Sequence, residues 1–333
     1  MGRFAVVGAT SWGLTLAWLL QRNGNDVLVV TRTESEAEEV SRTHGIARLP
    51  ELLLPSDIEV QSAPIQRPVN GIVLAVPARS IRSTVQALRA DRNTPVLIAA
   101  KGVEHQNPGT GRPLSKVLEE LGWRREKIGV ISGPNLAHEI VSGLPAAAVV
   151  AAGSTAVSIP WQVALSSGTF RVYTSDDVVG VEMAGALKNV IAIAAGAAWG
   201  MDFGANAVST ILTRGLAEMT RLGVAMGANP LTFQGLAGVG DLAATCFSPL
   251  SRNRRFGELL GRGVTPEEAK ARIGETVEGA LTARVVLEFG SRLNVELPIC
   301  ATVAGVVGGY QTVPEAMAGL LSRPLKSEAG WPG

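Results

Sequence analysis

Lys188 is the residue whose setting most invites chemistry. It lies in the run Val178–Gly200, VVGVEMAGALKNVIAIAAGAAWG, which has the length and composition of one long helix. Helical spacing puts Val181, Ala184, Lys188, Ile191, Ala192, Ala195 and Trp199 on one stripe, apolar except for the lysine. Burial in such a stripe disfavours the charged amine and draws it toward proton transfer near neutral pH. Glu182 is six positions away and faces another side, so it is no partner along the helix. The competing reading is a lysine that lays its stem along the stripe and keeps its amine in water. Other segments carry groups of the right kind. Lys101 follows the apolar run Pro95–Ala99, and Gly133 follows Ile128–Ile131 and opens a helix through Pro134. Ser251, Arg252 and Asn253 open a helical pattern, where free N–H groups and a guanidinium fork suit a phosphate. The alternative there is a solvated basic helix end, since Arg254 and Arg255 follow. Asp241 closes the glycine-rich stretch Gly235–Gly240 and reads as a loop residue. It could accept from a substrate hydroxyl, orient Lys188, or only shape a turn.

A second constellation is Gly8-Ala9-Thr10-Ser11-Trp12-Gly13, between the apolar run Arg3–Val7 and a helical pattern Ser11–Arg22. Gly8 and Gly13 match the first and third glycines of a dinucleotide-binding turn, and Ser11 and Trp12 begin its helix. Thr10 replaces the second glycine. Its side chain narrows the approach to a pyrophosphate, although its hydroxyl is able to donate to one. A second valine-rich run, Val27–Thr31, completes a βαβ unit and ends in Arg32 rather than an acidic residue. An arginine there suits the 2′-phosphate of NADP, so NADP(H) is the expected preference, with NAD(H) also used. The alternative is an ordinary surface arginine.

These residues need elements to hold them. Buried-strand runs recur at Ile72–Val76, Pro95–Ala99, Ile128–Ile131 and Ala146–Ala151, with helical patterns between several of them. Such alternation predicts an α/β fold with a Rossmann-like, doubly wound parallel sheet. After Ser175 only helical patterns of quality remain. The expected organisation is therefore residues 1–175 as a dinucleotide-binding domain and 176–333 as an all-helical substrate and catalytic domain. A chain of 333 residues also exceeds a typical single core.

Composition narrows the function. A net charge of +1 leaves no electrostatic footprint for nucleic acid or an anionic membrane. Two cysteines, Cys246 and Cys300, make neither a disulfide framework nor a zinc spacing, which favours a cytoplasmic setting and no metal. The apolar start is broken by Gly8, Thr10, Ser11 and Gly13 and reads as strand, turn and helix rather than a secretion signal. Glu182, Lys188 and Asn189 sit inside the long apolar helix, which argues against a membrane span.

Several stretches match one family in order: Lys101-Gly102-Val103-Glu104, Ser132-Gly133-Pro134-Asn135-Leu136-Ala137, Ala186-Leu187-Lys188-Asn189, Gly238-Val239-Gly240-Asp241, Ser251-Arg252-Asn253-Arg254 and Val277-Glu278-Gly279. On these the chain resembles the bacterial NAD(P)-dependent glycerol-3-phosphate dehydrogenases nearly end to end. The resemblance implies reversible hydride transfer between a nicotinamide cofactor and the carbon joining dihydroxyacetone phosphate and sn-glycerol 3-phosphate. It implies Lys188 as the catalytic acid/base. It places Lys101, Gly133, Asn135, Lys188, Asp241, Ser251, Arg252 and Asn253 at the substrate. It places Gly8, Ser11, Trp12, Gly13, Arg32, Lys101, Ala137, Arg252, Thr276 and Glu278 at the cofactor. Asn135 departs from the family's serine or threonine but keeps a donor and an acceptor. A homodimer is expected, since helical second domains of this kind commonly pack against a partner. Two other readings stay open: a dehydrogenase of the same architecture acting on another hydroxy acid, and a non-catalytic NADP-binding regulator.

Overall fold

Runs of valine, isoleucine and alanine with both faces covered form one eight-stranded sheet. The computed structural model describes residues 2–105, 111–325 and 327–328. Its strands are β1 (Arg3–Val7), β2 (Asp26–Thr31), β3 (Glu59–Ser62), β4 (Gly71–Leu74), β5 (Val96–Ile98), a small antiparallel hairpin of β6 (Val103–Glu104) and β7 (Arg112–Pro113), then β8 (Ile128–Ser132), β9 (Ala146–Ala152) and β10 (Phe170–Ser175). The main sheet runs β10-β9-β8-β5-β4-β1-β2-β3. The strands from β3 through β8 in that order are parallel. The order departs from β1 toward β2 on one side and β4 on the other, and such a switch point opens a ligand crevice at the carboxyl ends.

The expectation of a wholly parallel sheet needs one correction. β9 is antiparallel to β8, and β10 then follows parallel to β9. Only the five-residue helix Ala137–Val141 lies between β8 and β9. It is too short to carry the chain back across the sheet, so β9 returns in the opposite sense. β3 also escaped the pattern, because Glu-Val-Gln-Ser at a sheet edge is neither a long apolar run nor a long alternation.

No strand follows Ser175 among the described residues. The helical part contains Gly204–Ala225, Arg252–Gly261, Glu278–Leu293 and Pro298–Val307, as the helical patterns after Ser175 lead one to expect. Asp241–Phe247, Pro266–Ile273 and Val313–Leu321 add three more. One face of the sheet shares a continuous apolar core with these helices, and the other is covered by a second cluster that includes the helix Ser11–Arg22.

The helix Val178–Gly200 is the axis of the helical part. It is long and apolar enough to cross a membrane, but 83% of its most apolar stretch is buried inside the molecule. Its N-cap is Asp177, whose carboxylate accepts from Gly180 N–H at 2.8 Å. Its glycines bring a second helix into backbone contact. A Cβ at Gly196 would lie 2.0 Å from the Arg254 carbonyl oxygen, and one at Gly257 would lie 2.1 Å from that of Ile193. Side chains there would force the helices apart. The close fit sets the N-terminus of Arg252–Gly261, with Arg252 and Asn253, beside Lys188 and Asn189.

Candidate active site at the carboxyl ends of the sheet

An open cleft of about 1080 Å³ lies between the carboxyl ends of the sheet and the helical part. Its floor is built from strand ends. The turn after β1 supplies Thr10, Ser11 and Trp12, the end of β4 supplies Ala75 to Pro77, and the end of β5 supplies Ala99 to Lys101. Asn135 and Ala137 come from beyond β8, while the helical part contributes Lys188, Asn189, Ser251, Arg252, Asn253, Thr276 and Glu278.

The centre of the site is two lysines joined by one aspartate. Lys188 Nζ donates to Asp241 Oδ1 at 2.7 Å and to Thr245 Oγ1 at 2.7 Å. Lys101 Nζ donates to Asp241 Oδ2 at 2.6 Å and to the Gly133 carbonyl at 2.9 Å. Ser132 Oγ adds a longer donation to Asp241 Oδ2 at 3.3 Å. Asp241 is 2% exposed and Lys188 7% exposed, so Lys188 does not snorkel to the surface. An ammonium has three donors, and each lysine spends two on the protein. Each keeps one for the cleft that both line.

The charges in this cluster set one another. Burial pushes the Asp241 carboxyl up, but Lys101 and Lys188 outweigh it and hold it below the usual carboxylate value. Burial lowers Lys101 to about 8; Asp241 opposes that shift and the Lys188 charge adds to it. Lys101, from the sheet, is thus an amine tuned toward neutral pH. Asp241 also differs from expectation in its local structure. It is the first residue of the helix Asp241–Phe247, entered through the π-type turn Leu236–Gly240, not a loop residue. Thr245, one helical turn later, donates to the Asp241 carbonyl at 2.6 Å and presents its oxygen to Lys188.

A second chain of bonds ties the site to its walls. Asn189 Nδ2 donates to the Lys101 carbonyl at 2.9 Å, and Asn253 Nδ2 donates to Asn189 Oδ1 at 2.9 Å. Asn253 Oδ1 then accepts from Gly279 N–H at 3.0 Å. Asn189 sits in the expected stretch around Lys188, yet its linking role is not legible there, because Lys101 and Asn253, which it joins, are more than sixty residues away.

The dinucleotide turn fits a pyrophosphate at its backbone. Gly8 has φ of 112°, and a Cβ there would lie 2.9 Å from Val76 Cγ1. A Cβ at Gly13 would lie 2.2 Å from the Gly8 carbonyl oxygen. Ser11 and Trp12 present the first N–H groups of the helix, which have no intrahelical acceptor. Thr10 departs from expectation. Its hydroxyl donates to the Ala75 carbonyl at 2.9 Å and accepts from Gly13 N–H at 3.0 Å, so it caps the helix and has no proton left for a ligand. Glu278 turns its carboxylate to the Ala78 N–H at 3.3 Å, where burial raises its pKa. Arg32 is exposed at the end of β2 and is not among the residues lining the cleft. Glu36 turns back to accept from the Arg32 N–H at 3.1 Å, and Glu34 accepts from the Ser62 hydroxyl at 3.1 Å. Gly8, Gly13, Gly133 and Asp241 lie under the lining rather than on it. Asn135 holds the Ala147 carbonyl through Nδ2 at 2.9 Å, and its buried Oδ1 has no partner.

A glycine turn closing a switched sheet, facing a buried lysine pair of which the sheet supplies one member and the helical part the other, defines a Rossmann-type dehydrogenase. Comparison with known proteins is specific. The family models for the N-terminus and C-terminus of NAD-dependent glycerol-3-phosphate dehydrogenase match residues 3–158 and 177–318. The chain belongs to the NAD-dependent glycerol-3-phosphate dehydrogenase family. It is 42% identical to a glycerol-3-phosphate dehydrogenase [NAD(P)+] of Corynebacterium diphtheriae, over 98% of this chain and 100% of that one. It is 43% identical to one of Streptomyces avermitilis, over 97% of each. The crystal structure of glycerol-3-phosphate dehydrogenase from Coxiella burnetii superposes with a TM-score of 0.91 at 33% identity, covering 97% of this chain and 99% of that one.

Proposed function

We propose that this chain is a glycerol-3-phosphate dehydrogenase [NAD(P)+]. It interconverts dihydroxyacetone phosphate and sn-glycerol 3-phosphate with NAD(P)(H), a step that feeds glycerophospholipid synthesis. The observation that most supports it is the Lys101–Asp241–Lys188 cluster at the base of a cleft that also holds Arg252. When bound, the nicotinamide supplies or accepts the hydride. The protein's part is electrostatic and positional. Asp241 aims Lys188, and Lys188 gives the proton it does not spend on the protein to the C2 oxygen as that oxygen gains electron density. Lys101 adds a second donor to the same polar locus. Ser251, Arg252 and Asn253 face the phosphate from a helix start. Gly133, under the lining, holds Lys101 through its carbonyl, and Asn135, which lines the cleft, is anchored to the Ala147 carbonyl beside it.

For the cofactor, Gly8, Ser11, Trp12 and Gly13 fit the pyrophosphate, while Lys101, Ala137, Arg252, Thr276 and Glu278 bound the rest of the dinucleotide. The division into residues 1–175 and 176–333, a homodimer and a cytoplasmic setting belong to the same proposal. The direct test is oxidation of NADPH with dihydroxyacetone phosphate, run beside NADH and beside 6-phosphogluconate in the reverse direction. Turnover only with the hydroxy acid, or none at all, defeats the proposal.

Arg252→Ala weakens use of dihydroxyacetone phosphate by about 1.5–3 kcal/mol, the value of a charge-assisted contact. That corresponds to a rise of roughly tenfold to 150-fold in KM. Unphosphorylated dihydroxyacetone is a poor substrate and barely responds. Equal losses on both substrates remove the phosphate assignment.

Arg32 carries the NADPH preference. Positions 31 to 33 hold no carboxylate that would accept from the ribose hydroxyls; Glu34 is held by the Ser62 hydroxyl, and Glu36 is occupied by the Arg32 N–H. Arg32→Ala therefore costs NADPH about 1.5–3 kcal/mol and NADH much less. The measurement is kcat/KM for both cofactors in the parent and the variant. A parent that prefers NADH, or an unchanged ratio between cofactors, ends this assignment.

A further inference from the structure

The charged lining of the cleft is lopsided. Four arginines and three lysines face two glutamates, Glu275 and Glu278. Glu278 is turned away to the Ala78 N–H. Glu275 is not. Its Oε2 sits 2.9 Å from Arg252 Nη1 and 3.5 Å from Arg48 Nη1. Arg48 comes from the segment before β3 and also reaches the Ala9 carbonyl at 3.4 Å, beside the dinucleotide turn. One carboxylate thus joins an arginine of the sheet domain to an arginine of the helical part, across the mouth of the cleft. Its 33% side-chain exposure leaves it able to leave.

We propose that Glu275 is a resident counter-anion, a positioning residue that occupies Arg252 in the free protein and must be displaced by the phosphate of an incoming ligand. The idea rests on Arg252 facing the substrate phosphate. A tethered carboxylate at high local concentration screens the guanidinium from weak monovalent anions, whereas a phosphate dianion with several acceptor oxygens competes with it effectively. Glu275 in this role sharpens selection for phosphorylated substrates at some expense of affinity. Aspartate at the same position is one methylene shorter and cannot span both arginines, although it keeps the charge.

The test compares Glu275→Gln and Glu275→Asp with the parent, each with and without Arg252→Ala. The readouts are KM and kcat for dihydroxyacetone phosphate, and inhibition by inorganic phosphate and by chloride at saturating NADPH. Glu275→Gln is expected to lower KM and both inhibition constants about fivefold, the scale of a partly exposed ion pair, with the change in KM rather than kcat. Glu275→Asp is expected to follow Gln, and both effects are expected to vanish in the Arg252→Ala background. An unchanged or raised KM in Glu275→Gln overturns the proposal. So does Glu275→Asp behaving as the parent, which would reduce the effect to charge at a distance. If Arg252→Ala alone leaves KM unchanged, the substrate-phosphate reading has failed. If Arg252→Ala raises KM while Glu275→Gln is silent, that reading stands and only the counter-anion is lost.

Discussion

Lys188→Ala lowers kcat for dihydroxyacetone phosphate by about 10²–10⁴-fold, the usual range for removing a general acid. Reduction of the carbonyl builds charge on its oxygen, and the remaining donor of Lys188 is the proton placed to meet it. The fold survives. Alanine suits a helix whose neighbouring positions are alanine, glycine and leucine, and Asp241 keeps Lys101 and Ser132 as donors after the change. KM for the substrate moves less than kcat, because Arg252 and its helix start are untouched. Steady-state kinetics with circular dichroism of the variant separates loss of chemistry from loss of structure. A folded variant with near-parental kcat would move the acid role to Lys101.

The sequence made some of this legible and hid the rest for physical reasons. Buried parallel strands are continuous apolar runs, so β1, β2, β4, β5 and β8 could be placed within a residue or two. The direction of β9 could not, because it depends on how short a path the five-residue helix Ala137–Val141 offers. Lys188 stood out as the one charge in an apolar stripe. Its partner did not, since Glu182 was the only acid near it in the chain and Asp241 lies fifty-three positions on. Thr245 carries a signal, being four residues after Asp241 and therefore on the same helical face, but glycines 235, 238 and 240 disguise the helix start. The position of Thr10 in the motif suggests a pyrophosphate donor, whereas its hydroxyl is committed to the Ala75 carbonyl and to capping the helix that follows. Arg48 and Glu275 carry no motif at all; only the packing of the helical part against the sheet brings them together.

Asp241→Asn destabilises the fold by about 3–5 kcal/mol, the scale expected when one member of a buried ion cluster is removed and its partners stay buried. Lys101 and Lys188 keep side-chain exposures of only 14% and 8%, so water cannot replace the lost charge. An asparagine oxygen satisfies one amine, and its amide nitrogen meets the other donor to donor. The cost is relieved as one lysine loses its proton, and Lys101 is the group near that point, lowered to about 8 by burial with Asp241 holding it up. Removing Asp241 takes away the influence that raises it. The sign follows for activity. If protonated Lys101 is needed for reduction, kcat/KM in the parent falls as pH rises through about 8, and in Asp241→Asn that fall moves to lower pH. Substrate affinity at neutral pH drops along with it. Two measurements decide the matter: the urea midpoint of the variant, and its pH profile for dihydroxyacetone phosphate. A variant as stable as the parent with an unshifted alkaline limb would show that Asp241 does not hold Lys101 in its working charge state.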